Sequence, residues 1–182
     1  MEISILIDRR LAGYLGRRAR EKVDEIEYRA EIRAAYVGEL GGAATAAALA
    51  ARADFTADQQ TKIEALGRLE RHVAHLLQPV LVRLQLEVGA TDGIEAAARS
   101  RAAAIADWPM LIGQFGERLR PYIDRFDRLL ANAAPQDLSA LQVLAEHEHA
   151  LAAFGLAEAA GQGDRSILHL TRLLSQPCSS QD

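Results

Sequence analysis

The 182 residues are 49% hydrophobic and 25% charged, enough apolar material for one domain with a sizeable core and unlike the composition of a disordered chain. A formal charge of −4 excludes a broad basic field for nucleic acid or an anionic membrane surface. The single cysteine, Cys178, excludes an intramolecular disulfide, and the longest uncharged run, 40–51, is far short of the ~20 residues that span a bilayer.

The N-terminal MEISILIDRR has an acid at position 2 and too short an apolar stretch for a signal peptide, so a cytoplasmic protein is expected. Residues 3–15 form a short element whose type the pattern leaves open. Heavy alanine use and scarce proline favour helix beyond that point. The periodicity predicts a first long helix over 18–52, ended by DFTAD at 54–58, where Thr56 is the expected N-cap of the next. That second helix covers 58–86, with Pro79 kinking or ending its first part. VGATDG at 88–93 is a turn, and a connecting helix over 94–106 follows. Asp107-Trp108-Pro109 reads as a cap with proline in the first turn, opening a third long helix to about 131. NAAP at 132–135 is a turn from which Pro135 starts a fourth long helix. Gly161-Gln162-Gly163 stops it. Asp164 or Ser166 caps a short final helix to 174, and 175–182 is a flexible tail. The whole chain, 1–182, reads as a single helical domain with its core in 18–161. Short links inside each pair of helices imply antiparallel neighbours, and a long crossover carrying a small helix joins the pairs.

At about 100° per residue, the inward faces follow by arithmetic. On the fourth helix, Leu141, Leu144, Ala145, Leu151, Ala152, Gly155, Leu156 and Ala159 form an apolar stripe with Glu148 near its middle. Glu146 and His149 fall on one flank, and His147 on the other, near Phe154 and Glu158. On the second helix Glu70 lies inside the stripe, His72 at its edge, and Glu64 and His75 outside it. The first helix has two apolar seams. One, Tyr28, Ile32, Ala35, Glu39, Gly42, Ala46 and Leu49, makes Glu39 a third inward carboxylate if it faces the bundle axis. The other, Val23, Ile26, Ala30, Val37, Ala44 and Ala48, carries Arg33 and suggests a homodimer contact or a seat for the crossover. The third helix has an aromatic seam from Trp108 through Phe115, Tyr122 and Phe126 to Leu129, read as core packing; Glu117 and Asp124 lie on its far side. Carboxylates buried without partners cost several kcal/mol each. Glu39, Glu70 and Glu148 must therefore share a cation, with His72 or His147 as an edge ligand, or be neutralised by Arg33, by the hydroxyls of Tyr28 and Tyr36, or by raised pKa values. The sequence favours neutralisation without a metal. Hard carboxylate ligands point to Fe or Mn if one is held.

Glu39, Leu69-Glu70 and His147-Glu148, placed on consecutive long helices with one crossover, resemble the ferritin-like superfamily of rubrerythrins, bacterioferritins and di-iron oxygenases. The resemblance covers about residues 20–160 and extends to an uncharacterised bacterial group within it. It implies an all-α, ferritin-like four-helix bundle. The family's di-iron pattern is Glu, Glu-x-x-His, Glu and Glu-x-x-His on the four helices. Val73 stands where the second helix should offer histidine, and Leu151 stands three residues after Glu148. Choosing Glu146 with His149, and Glu117 as third-helix partner, restores the spacing but places those acids off the apolar seams. A complete di-iron centre is thus not expected. Three functions remain open: a ferritin-like bundle of unassigned activity, a metal-dependent (Fe or Mn) oxidoreductase on a reduced carboxylate site, and a bundle that binds a small polar ligand. No nucleic-acid or membrane partner is expected. His75, His169, Cys178 and the Arg17-Arg18-Arg20 cluster read as surface features, and no phosphate loop, nucleophile elbow or CxxC occurs.

Overall fold

A computed structural model describes residues 23–175. Every regular element among them is helical, so the chain is all-α: α1 (Glu25–Ala50), α2 (Ala57–Arg83), α3 (Asp92–Ala104), α4 (Trp108–Ile112), a 3₁₀ turn (Glu117–Leu119), α5 (Arg120–Ala131), a second 3₁₀ turn (Pro135–Asp137), α6 (Leu138–Ala159) and α7 (Gly163–Leu174). None of these helices is long and apolar enough to cross a membrane. The N-terminal element, the Arg17-Arg18-Arg20 cluster and Cys178 lie outside the described residues.

Local chemistry sets most boundaries. Asp24 caps α1 through the Glu27 amide at 2.8 Å. Thr56 caps α2 as expected, and Gln59 returns a bond to the Thr56 amide, closing a capping box. Asp107 caps α4 through the Met110 amide, with Pro109 in the first turn. Pro79 lies within α2 on its exposed side and does not end it.

Two expectations are corrected. The third long helix is broken. It leaves helical geometry after Ile112, and Gly116 takes φ +85°, a left-handed conformation that glycine adopts without strain. The aromatic seam fails with it: Phe126 and Leu129 are buried, but Tyr122 is exposed. The final helix begins at Gly163 with no side-chain cap; the Ser166 hydroxyl donates instead to the Gly163 carbonyl and to Glu158.

One apolar cluster joins α1, α2, α5, α6 and α7 through Ile32, Leu69, Phe126, Leu144 and Leu170. A second, with Leu49, Phe55, Ile63, Ala102 and Leu111, lies at the α1–α2 turn against α3 and α4. Arg52 fixes that corner. It pairs with Asp54 and donates to the carbonyls of Ala102, Ile105 and Ala106, tying the crossover to the turn. The inner seam of α1 is the one containing Glu39. The other seam is open at Ile26, 81% exposed, at Ala30 and at Arg33, and half-buried at Val23, Val37, Ala44 and Ala48.

Among the described residues outside the candidate site, buried charges have partners. Asp137, 1% exposed, accepts from the Tyr28 hydroxyl at 2.8 Å and from Arg83 Nε at 3.0 Å. Burial and this bond push the Tyr28 phenol upward, so it stays the donor. Lys62 pairs with Asp58 at 2.6 Å and Glu158 at 2.8 Å, and Glu158 also accepts from Trp108 Nε1 at 3.1 Å. Truncating Asp137 orphans a buried hydroxyl and a guanidinium. Asp137→Ala is expected to lower unfolding free energy by about 3 kcal/mol and Asp137→Asn, which keeps an acceptor, by less; urea titration of both variants measures the difference.

Candidate metal centre

Glu39 lies on α1, Glu70 on α2, and His147 and Glu148 are neighbours on α6. All four line one cavity of about 520 Å³. Glu39 is 3% exposed, His147 1% and Glu148 6%, while Glu70 is half-buried. The inward placement expected for Glu39 and Glu148 is what the structure shows.

Two features of α1 and α2 bring the carboxylates together. A Cβ at Gly42 would overlap the Glu70 carboxyl group, so the glycine lets that carboxyl lie against α1 one turn beyond Glu39. A Cβ at Gly67 would come within 3.1 Å of the Ala46 Cβ, a second mark of close approach between the two helices. Mid-helix glycine costs about 1 kcal/mol relative to alanine, so the pair Gly41-Gly42 inside a long helix is itself a signal that something approaches the backbone there.

His147 Nε2 stands 3.6 Å from Glu39 Oε2 and 3.6 Å from Glu70 Oε1. These separations are too long for hydrogen bonds. One ligand atom from each of Glu39, Glu70 and His147 can be chosen so that all three lie within 4.8 Å of one another. Around a cation with bonds of ~2.1 Å, ligand atoms lie roughly 3–4 Å apart, so a shift of a few tenths of an ångström would seat one ion among these residues. Both ring nitrogens of His147, Glu39 Oε2 and Glu148 Oε2 are buried with no hydrogen-bond partner among the described residues. That is an exception to the rule that buried polar atoms are paired.

Electrostatics reports the same tension. Burial holds the Glu39 carboxyl well above the usual carboxylate range and pushes Glu148 up to about 7. Burial alone would lower His147, but the attraction of Glu39, Glu70 and Glu148 outweighs it and raises the imidazole to about 10. In the metal-free protein His147 is thus the internal cation of the cluster, and a divalent ion entering there would displace its proton.

The other sequence candidates fall elsewhere. His147, expected on a flank, is the most enclosed member of the site, set against Glu39 of α1 and Glu70 of α2. His72 is half-buried on α2 and is not part of the cluster. Glu146 accepts from Gln142 at 2.9 Å, and His149 is exposed and contacts Asp127 at 3.3 Å, so the pair spaced like Glu-x-x-His lies outside the cluster. Arg33 is exposed and Tyr28 serves Asp137, so neither neutralises the acids. The broken third segment supplies Arg118, Tyr122, Arg125 and Phe126 to the cavity wall. The arginines Arg101, Arg118 and Arg125 were not anticipated; Arg118 and Arg125 sit on the segment read as a continuous helix with its polar face outward.

No family model matches the chain, and neither the curated proteins nor the solved structures contain a match.

The raised pKa values fix a sign. A group whose folded pKa lies above its unfolded one binds its proton more tightly when folded, so the stability it contributes is present at low pH and lost as pH rises through the folded value. For Glu148 the window runs from 4.5 to about 7 and amounts to about 3 kcal/mol; His147 extends the loss from 6.5 toward 10. Urea midpoints of the metal-free protein are expected to fall between pH 5 and 7.5, and Glu148→Gln is expected to flatten that slope. A midpoint that rises over the same range would contradict the assignment.

Proposed function

We propose that this protein is a ferritin-like four-helix bundle in which Glu39, Glu70 and His147, with Glu148 beside them, hold one divalent cation, Fe(II) or Mn(II), for redox chemistry. The observation that carries the reading is the convergence of Glu39, Glu70 and His147 from three helices on one cavity, where buried atoms of Glu39, His147 and Glu148 have no hydrogen-bond partner among the described residues. A carboxylate-rich set with one imidazole suits Fe and Mn better than copper. The cation would take over the role that the His147 proton plays without it, and would neutralise acids that are otherwise costly to bury.

A single ion is favoured over a di-iron centre. Val73 and Leu151 stand at the two positions where the family pattern has histidine, both as buried apolar residues. The wall contributed by α5 brings the Arg125 guanidinium, which pairs with Glu31. A cation flanked by three acids and an imidazole, with a cavity of about 520 Å³ on its open side, has room for a small molecule to bind next to it. That arrangement supports a metal-dependent oxidoreductase.

Elemental analysis of protein grown with Fe and Mn, followed by Mn(II) titration of the chelator-treated protein at pH 7.5, is expected to give about one ion per chain. Glu70→Gln and His147→Ala are each expected to weaken binding by about 100-fold while circular dichroism stays helical. Two ions per chain, none, or unchanged affinity in both variants would overturn the proposal. Affinity is also expected to rise from pH 6 to 8, because the ion competes with the protons on His147 and Glu148.

A further inference from the structure

A second cavity, of about 890 Å³, runs between α1 and the crossover helix α3 and shares Gly38, Gly42, Glu70 and Arg101 with the wall of the first. Beyond those residues its wall is almost wholly apolar, including Ile94 and Met110. The two spaces therefore meet beside the Glu70 carboxyl group. Small residues on α1 create this opening. A Cβ at Gly38 would meet nothing within 4 Å, and one at Gly41 would come within 3.0 Å of Arg101 Nη2.

At the junction the charge is of the other sign. Arg101 reaches over α1, donating from Nη2 to the Gly41 carbonyl at 3.2 Å and from Nε to Thr45 Oγ1 at 3.1 Å. Arg118, on the wall of the first cavity, donates to Gln114 Oε1 at 2.8 Å. Both guanidiniums belong to the wall of the first cavity, and among the described residues neither pairs with a carboxylate, whereas Arg125 on the same wall pairs with Glu31. Two arginines without counter-ions, bordering a carboxylate cluster on one side and an apolar channel on the other, match a ligand with an anionic head and an apolar body.

We propose that the joined cavities bind an organic carboxylate, its acid group held by Arg101 and Arg118 next to the metal centre and its hydrocarbon part lying in the channel between α1 and α3. The inference deepens the metal reading and rests on it only in placing a cation beside the ligand. A divalent ion adds positive charge beside the ligand's acid group, so ligand and metal should strengthen each other's binding by the same factor.

Calorimetric titration of the full chain, metal-free and Mn(II)-loaded, with octanoate, acetate and 1-octanol tests this. Octanoate is expected to bind at least about tenfold more tightly than either of the others, since acetate lacks the apolar body and octanol the charge. Arg101→Gln and Arg118→Gln are each expected to weaken octanoate by about tenfold. Ala97→Phe, on the α3 wall of the channel and outside the wall of the metal cavity, is expected to abolish octanoate binding and leave the Mn(II) stoichiometry unchanged. Equal binding of octanol and octanoate, octanoate binding that survives Ala97→Phe, or no octanoate binding in either form overturns the inference. Failure of the metal reading is seen separately, as absent Mn(II) binding. In that case the arginine and Ala97 dependence is scored on the metal-free protein.

Discussion

The arrangement of this protein turns on the burial of Glu39, Glu70 and Glu148 around one histidine. Each carboxyl is anchored on a helix that packs through ordinary apolar residues: Ile32 and Ala35 on α1, Leu69 and Val73 on α2, Leu144 and Leu151 on α6. Apolar packing therefore forces the acids together, and it does so at a cost of several kcal/mol per uncompensated charge. Raised pKa values and a protonated His147 reduce that cost in the metal-free protein but leave four buried atoms without hydrogen bonds. Such a cluster is tolerated only where the surrounding contacts over-determine the fold, as the Arg52 and Asp137 networks do here.

The contrast with those networks gives the cluster its meaning. Asp137 has a phenol and a guanidinium; Glu158 has Lys62, Trp108 and Ser166. The same chain thus satisfies its other buried acids with protein donors. Structural ion pairs and ligand sites are both clusters of charge. They differ in whether the polar atoms are used up internally, and at Glu39, His147 and Glu148 they are not.

Much of this was legible in the sequence. Helical phasing put Glu70 and Glu148 on the inner faces, because α2 and the relevant half of α6 have a single dominant apolar stripe, and left Glu39 on one of two apolar seams of α1. Phasing misplaced His147 because α6 is covered on two sides. The stripe drawn through Leu156 and Ala159 is partly exposed, whereas Phe154, on the His147 side, is buried against Trp108 and Phe115. A wheel drawn for α6 alone does not contain those neighbours. Asp137 and Lys62 went unnoticed for a related reason: their burial depends on partners 54 or more positions away, Arg83 and Glu158 among them. The break at Gly113–Gly116 was written in two glycines, yet the aromatic spacing on either side kept helical register and masked it.

That break also decides the character of the site. A continuous third helix would present one unbroken face to the core. The chain instead leaves helical geometry after Ile112, so Gln114, Phe115, Arg118 and Leu119 come from irregular or 3₁₀ backbone to line the cavity. A Cβ at Gly155 on α6 would overlap the Phe115 side chain, so α6 is shaped to receive this displaced segment. Under the proposed reading, the segment that supplies a metal-binding acid in the di-iron pattern here contributes Arg118 and Arg125 to the wall, and the two histidine positions hold Val73 and Leu151. Loss of the second ion's ligands and gain of positive charge are then one change: the space a second cation would fill, with its two positive charges, is bordered by guanidinium groups, and an anionic ligand is the occupant that balances them.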